Sequence, residues 1–154
     1  NTVAPMVLTL QVLPDMLKRN RGHICNIASA GGMLGNPKMS VYGASKWAVI
    51  GWSESMRIEL QQRKANVHVT TVAPYFISTG MFQGVRSIFP ILKPEPTAKK
   101  IIRAIERNTI FAGIPFGYHF IRFWQAILPL RVFDWLFGTV FGIYRTMDHF
   151  TGRK

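Results

Sequence analysis

The sequence predicts an α/β chain, part of a doubly wound parallel sheet with helices on both faces. Two short apolar, β-branched runs carry this reading, "HICNIAS" at residues 23–29 and "VHVTTVAP" at 67–74. Between them lies a long helical pattern from about Ser40 to Arg63. Two strands joined by a crossover of that length pair in parallel with a right-handed connection. Runs that are apolar along their whole length suit strands covered on both sides.

The elements follow in order. Residues 2–18, "TVAPMVLTLQVLPDMLK", space Val7, Leu10, Leu13 and Leu17 along one face of a helix. Pro5 suits its first turn, Pro14 predicts a kink, and "RNRG" stops it with Gly22 as the cap. The first strand ends near Ser29, and the glycine-rich stretch Ala30 to Met39 is a loop. The long helix turns at Lys64-Ala65-Asn66 into the second strand, which ends at Pro74. Tyr75 to Pro96 is irregular and long enough to be functional. Thr97 is the expected N-cap of "TAKKIIRAIERN", and "TIFAG" is a short edge strand. The organisation is therefore a first part at 1–113 and an aromatic extension at 114–154.

Composition narrows the function. With 154 residues, 48% apolar and 17% charged, the chain is long enough to bury a core and unlike a disordered one. The net charge of +12 invites an anionic partner, but the bases are scattered from Lys18 to Lys154 and never interleave with aromatics as in a nucleic-acid groove. Nucleic-acid binding is set aside on that ground. The lone Cys25 allows no intrachain disulfide and fits a buried thiol in a reducing, cytoplasmic compartment. The chain opens on Asn1 within a helix start, which suggests a piece of a longer product. No cluster of metal-ligand spacing is present, so no metal is expected.

Ligands in open parallel sheets bind outside the carboxyl ends of the strands. Ser29 with its glycine loop, Pro74 with its long loop and the Tyr42 end of the helix all fall on that rim. Tyr42 and Lys46 stand at i and i+4, one turn apart on one helical face. A phenol titrates near 10 and is a poor acid or base at neutral pH, whereas an ammonium beside it favours the phenolate. The small residues Gly43, Ala44 and Ser45 leave room for a ligand or another helix. Ser29 places a hydroxyl next to the phenol, so the set suits proton transfer to a carbonyl or alcohol oxygen. Such chemistry needs a hydride partner.

These residues resemble those of the classical short-chain dehydrogenases/reductases: "NIASAGG" with Ser29, "YGASK" with Tyr42 and Lys46, and "VAPYFIST" after the next strand. The resemblance runs from Asn1 to about Asn108 and implies the carboxyl-terminal, catalytic half of a Rossmann-like fold. It implies a catalytic set of Ser29, Tyr42, Lys46 and Asn1. Tyr42 would be the general acid/base, Lys46 its partner and a ribose ligand, Ser29 the positioner of the carbonyl, and Asn1 a link to a proton relay. The cofactor, NAD or NADP, would be held by Ile27, Tyr42, Lys46, Pro74, Ile77 and Thr79. Ser29, Tyr75 and Phe76 would meet the substrate, with Tyr75 standing where the family has glycine. The family's glycine-rich phosphate turn is found nowhere in the chain.

The extension carries Phe116, Tyr118, Phe120, Phe123, Trp124, Phe133, Trp135, Phe137, Phe141 and Tyr144. Charged residues interrupt it before it could span a membrane. It reads as a substrate lid, as an interfacial segment on an anionic membrane, or as ordinary packing. The tail resembles those of family members acting on retinoids, steroids or other lipid-like alcohols. The expected substrate is thus a small apolar alcohol or ketone. The expected assembly is a homo-oligomer through helices 2–18 and 40–63, with peripheral membrane contact. The rival reading is a truncated, non-catalytic form serving as a dimerisation or interaction module.

Overall fold

A computed structural model describes residues 1–152. The chain runs α1 (Val3–Lys18), β1 (Gly22–Ile27), α2 (Ser40–Gln62), β2 (Val67–Pro74), α3 (Pro94–Glu106) and β3 (Phe111–Ile114). The strands form one parallel sheet in the order β1-β2-β3, with Gly22 opposite Val67 and Thr71 opposite Phe111. Each connection spans a helix, as parallel pairing requires.

Period-2 alternation divides the strand side chains between two layers. On one face Ile24, Val67 and Val69 meet Met56 and Leu60 of α2 and Leu13, Met16 and Leu17 of α1. On the other, Val72, Ala112 and Ile114 meet Ala104 and Ile101 of α3, with Cys25 alongside. Helices thus lie on both faces of the sheet. The thiol is only half-buried, and what burial it has pushes its pKa up. The strands are also less apolar than expected. Thr70 is fully buried, its hydroxyl donating to the Thr109 carbonyl at 2.7 Å and contacting His23 Nε2 at 2.8 Å. Asn26 donates to Ser53 Oγ at 2.8 Å, and Ser53 donates onward to the Val49 carbonyl at 2.6 Å. That buried relay ties β1 to α2, and its polar groups are tolerated because each finds a partner.

Three local expectations are corrected. First, Val7 and Leu10 of α1 are exposed; of the expected face only Leu13 and Leu17 reach the sheet, joined by Met16. Second, α1 ends at C-cap Arg19 and the left-handed residue after it is Asn20 (φ 45°), not Gly22, with the Arg21 amide donating to the Met16 carbonyl at 3.0 Å. Asparagine tolerates the left-handed conformation, and the reach-back bond is that of a Schellman cap. Gly22 is needed for packing: a Cβ there would sit 2.6 Å from the Met16 side chain. Third, α3 begins at Pro94 with Lys93 as N-cap, and Thr97 lies in the first turn, its hydroxyl donating to the Lys93 carbonyl at 2.7 Å. Prolines are harmless there because first-turn amides have no helical acceptor.

The tail continues through a 3₁₀ turn (Phe116–Phe120), α4 (Ile121–Ile127), α5 (Leu130–Phe133), a π-helical turn (Asp134–Val140) and a last 3₁₀ turn (Ile143–Arg145). Its Tyr118, Ile121, Phe133, Ile143 and Met147 are buried in the same core as Ala28, Met33, Val49 and Ala73. Among the described residues no helix is long and apolar enough to cross a membrane.

Candidate active site

Where β1 ends, the backbone stays extended through Ser29 (φ −168°) and then closes a 3₁₀ turn at Ala30–Gly32. Ser29 Oγ accepts the Gly31 amide at 3.1 Å, which fixes the hydroxyl oxygen and leaves its proton free to donate. The turn lies directly on the first turns of α2. A Cβ on Gly32 would sit 2.7 Å from the Lys46 backbone, and one on Gly43 3.3 Å from the Gly31 carbonyl oxygen. A Cβ on Gly31 would lie 3.4 Å from the Tyr42 ring and 3.6 Å from Ser29 Oγ. The glycines therefore bring the serine hydroxyl and the phenol to either side of one small space.

Lys46 reaches the same space. Its Nζ donates to the Ile27 carbonyl at 2.9 Å and stands 5.8 Å from the centre of the Tyr42 ring. Burial pulls its pKa down, since desolvation disfavours the ammonium. One bond to Ile27 leaves two N–H donors free. Asn1 is exposed, and its amide donates to Ser45 Oγ at 3.3 Å, one residue before Lys46. Ser45 Oγ in turn donates to the Tyr42 carbonyl at 2.7 Å. The small residues after Tyr42 admit close neighbours: Gly43 the glycine loop and Ser45 the start of α1.

A cleft of about 210 Å³ opens here, lined by Ser29, Tyr42, Lys46, Pro74, Tyr75 and Phe76 together with Ile27, Ile77 and Thr79. The loop after β2 is strapped by the Leu92 amide donating to the Phe76 carbonyl at 2.8 Å and the Ser78 amide donating to the Leu92 carbonyl at 2.9 Å. Tyr75 adopts no positive φ, so nothing in the backbone here demands glycine. Its hydroxyl meets Ser87 Oγ at 2.6 Å, and its ring packs on Phe76, Phe89 and Tyr118. Burial pushes the Tyr75 phenol above its ordinary range.

Of the residues singled out from sequence, all but Asn1 border this cleft. Sequence reasoning missed Leu34, Asn36, Phe82 and Ile143, which also line it, and placed Tyr118 only within a tail read as a lid, as packing or as an interfacial segment. Phe82 meets the Tyr42 ring edge-on at 6.2 Å. Asn36 donates to Thr146 Oγ1 at 2.8 Å, and its buried Oδ1 has no partner among the described residues. Tyr118 comes from 76 positions beyond Tyr42 in the chain, with no local pattern to announce it. Its phenol is held far above the usual range, by burial first and then by the neighbouring Tyr75.

Comparison with known proteins gives a consistent result. A short chain dehydrogenase family model matches residues 1–88, more than half of the chain. Epidermal retinol dehydrogenase 2 of Mus musculus is 38% identical over 147 residues, covering 92% of this chain and 47% of that protein. Retinol dehydrogenase 10 of Homo sapiens is 35% identical over 130 residues, covering 80% of this chain and 38% of that protein. The chain thus spans about half the length, or less, of the curated relatives it matches. Among solved structures, a short-chain dehydrogenase from Sphingobium yanoikuyae in complex with NADPH superposes with a TM-score of 0.68 at 25% identity, covering 82% of this chain and 49% of that one. 4-hydroxyisoleucine dehydrogenase complexed with NADH gives 0.61 at 28% identity, covering 73% and 53%. With its Ser29, Tyr42 and Lys46 drawn to one cleft at the carboxyl ends of a parallel sheet, the chain belongs to the short-chain dehydrogenase family.

Proposed function

We propose that the protein carrying this chain interconverts an apolar alcohol and its carbonyl by hydride transfer with a nicotinamide cofactor, NAD or NADP. The observation that carries the reading is the Ser29–Tyr42–Lys46 cluster in one cleft, with a free donor on Ser29 and two on Lys46. The residues fit the nicotinamide end of such a cofactor: Lys46 offers donors beside Ile27, itself 46% exposed, and Pro74, Ile77 and Thr79 form further lining. When bound, the cofactor supplies or accepts the hydride. In reduction the Tyr42 phenol gives its proton to the carbonyl oxygen; in oxidation the phenolate takes it back from the alcohol. Ser29 donates to that oxygen and holds it in line. Lys46, its Nζ 5.8 Å from the centre of the Tyr42 ring, keeps two donors for the cofactor's hydroxyls. Asn1 is a positioning residue, acting through Ser45.

The decisive experiment is Tyr42→Phe in the full-length enzyme, assayed with apolar alcohols and NAD or NADP. Turnover should fall by about 10²–10⁴-fold, the usual worth of a positioned acid/base. Unchanged turnover removes the role assigned to Tyr42 and favours the interaction-module reading instead. Homo-oligomerisation through α1 and α2 is supported by the exposed Val3, Leu8, Leu10, Val41 and Trp47. Peripheral membrane contact is supported by the exposed Phe116, Phe123, Leu130 and Trp135, close in sequence to Arg122 and Arg131. Liposome co-sedimentation with anionic vesicles tests this, and binding undiminished by replacing these four residues with serine would refute it.

A further inference from the structure

A second cavity of about 320 Å³ lies behind the Tyr42 cleft, and the tail builds most of it. Gly117, Trp124, Phe137 and Phe141 contribute to its wall, and no charged side chain does. Leu34, Tyr118 and Ile143 line both this chamber and the Tyr42 cleft, so they are the partition between the two. The three differ in what holds them. Leu34 and Ile143 are small apolar side chains buried in the core. Tyr118 is a large ring on a 3₁₀ turn next to Gly117, and its buried hydroxyl has no hydrogen-bond partner among the described residues. Its neighbour Tyr75, 5.3 Å away between ring centres, is tethered by its hydroxyl to Ser87 Oγ at 2.6 Å. The polar group that acts on Tyr118 is the Tyr75 hydroxyl, already bound to Ser87, so turning Tyr118 gives up only a weak contact and no close hydrogen bond among the described residues.

We propose that this tail chamber receives the hydrocarbon end of the substrate, and that Tyr118 is the movable partition a long substrate displaces. The inference rests on the alcohol/carbonyl reading above. It assigns an extended apolar alcohol or aldehyde, with its oxygen between Ser29 and Tyr42 and its chain passing Tyr118 toward Trp124. A short alcohol would occupy the Tyr42 cleft alone. The tail is then a specificity element, since it sets how much apolar surface the substrate can bury.

The test uses the full-length holoenzyme and primary n-alkanols from butanol to hexadecanol. KM should fall about fourfold per methylene while the chain is still being buried, and level off once the chamber is full. Gly117→Leu adds a side chain to a residue of the chamber wall, where a Cβ meets nothing within 4 Å, and so narrows the chamber. It should lower the ratio of kcat/KM for dodecanol to that for butanol by at least about tenfold, the effect of roughly two methylenes left unburied. Phe141→Ala enlarges the chamber and should move the preferred chain length upward, which a merely misfolded variant would not do. Binding is read separately: a doxyl-labelled long-chain alcohol should quench tryptophan emission, and most of that quenching should vanish in Trp124→Phe. Identical chain-length profiles in all three proteins, with quenching that survives Trp124→Phe, would overturn the proposal. Quenching that requires Trp124 and is blocked by Gly117→Leu, with no alcohol turned over, upholds the chamber and rejects the alcohol/carbonyl reading.

Discussion

The rim at the ends of β1 and β2 and the aromatic tail are built by opposite means. At the rim, backbone lies on backbone: Gly31, Gly32 and Gly43 seat the loop on α2, and short polar bonds pin Ser29, Lys46 and Ser45. In the tail, rings pack on rings, Phe133 on Phe137 at 4.4 Å and Phe137 against Phe141 at 5.4 Å. Many tail side chains stay in solvent, Leu130 at 73% exposure and Trp135 at 61%. The difference teaches where each kind of contact is useful. Proton transfer needs atoms fixed to fractions of an ångström, which close backbone contacts provide. Enclosing an apolar chain needs area and adaptable shape, which aromatic packing provides.

That contrast can be broken at the glycines. Gly32→Ala would press its methyl into the Lys46 backbone at 2.7 Å, and we expect a loss of about 1–3 kcal/mol in denaturant unfolding of the full-length protein. Gly31→Ala meets only ordinary contacts, so stability should hold within about 0.5 kcal/mol. Its methyl nevertheless occupies the space between Ser29 and Tyr42, and turnover should collapse. If both variants lose stability equally, the rim is not the backbone-packed frame described above.

A smaller effect separates two buried phenols. Tyr75→Phe removes the bond to Ser87 and should cost about 0.5–1.5 kcal/mol. Tyr118→Phe removes a hydroxyl with no partner among the described residues and should be neutral or stabilising by up to about 1 kcal/mol. Equal destabilisation by the two would mean that Tyr118 is tethered after all.

The smallest effect is a pH dependence. Burial raises the phenols of Tyr75 and Tyr118, and burial with the Asp134 carboxylate raises Tyr144 to about 12. In the unfolded chain each phenol ionises near 10. Above that pH the unfolded state binds fewer protons than the folded one, so stability falls as pH rises. Their contribution is full below about pH 10 and is lost as the pH climbs through the folded values. Urea midpoints from pH 9 to 11.5 should decline for the parent protein and less steeply for Tyr118→Phe. A slope unchanged by that substitution would contradict the burial assigned to Tyr118.

Much of the rim was legible because its signals are local. Tyr42 and Lys46 share a face by helical spacing alone, and Ser29 and Pro74 close strands whose apolar pattern is short and clear. The ends of elements were less legible: Pro94, not Thr97, opens α3, and left-handed Asn20 after Arg19, not Gly22, ends α1. Such boundaries depend on which of several competent residues the tertiary packing selects. Gly22 could have served as a cap, but Met16 lies against it. The use of Gly43 was likewise hidden, since what approaches it is a loop twelve residues earlier in the chain.

The sequence by itself determined the α/β class, the parallel pairing, and the shared face of Tyr42 and Lys46 beside Ser29, because periodicity and chain direction act over a few residues. Only the tertiary structure decided that Asn36, Phe82, Tyr118 and Ile143 complete the cleft, and that Asn26 and Ser53 tie β1 to α2. Those contacts join residues up to 110 positions apart, as Asn36 and Thr146 do. At such separations no local pattern records the neighbour, and the packing of the tail onto the sheet supplies it.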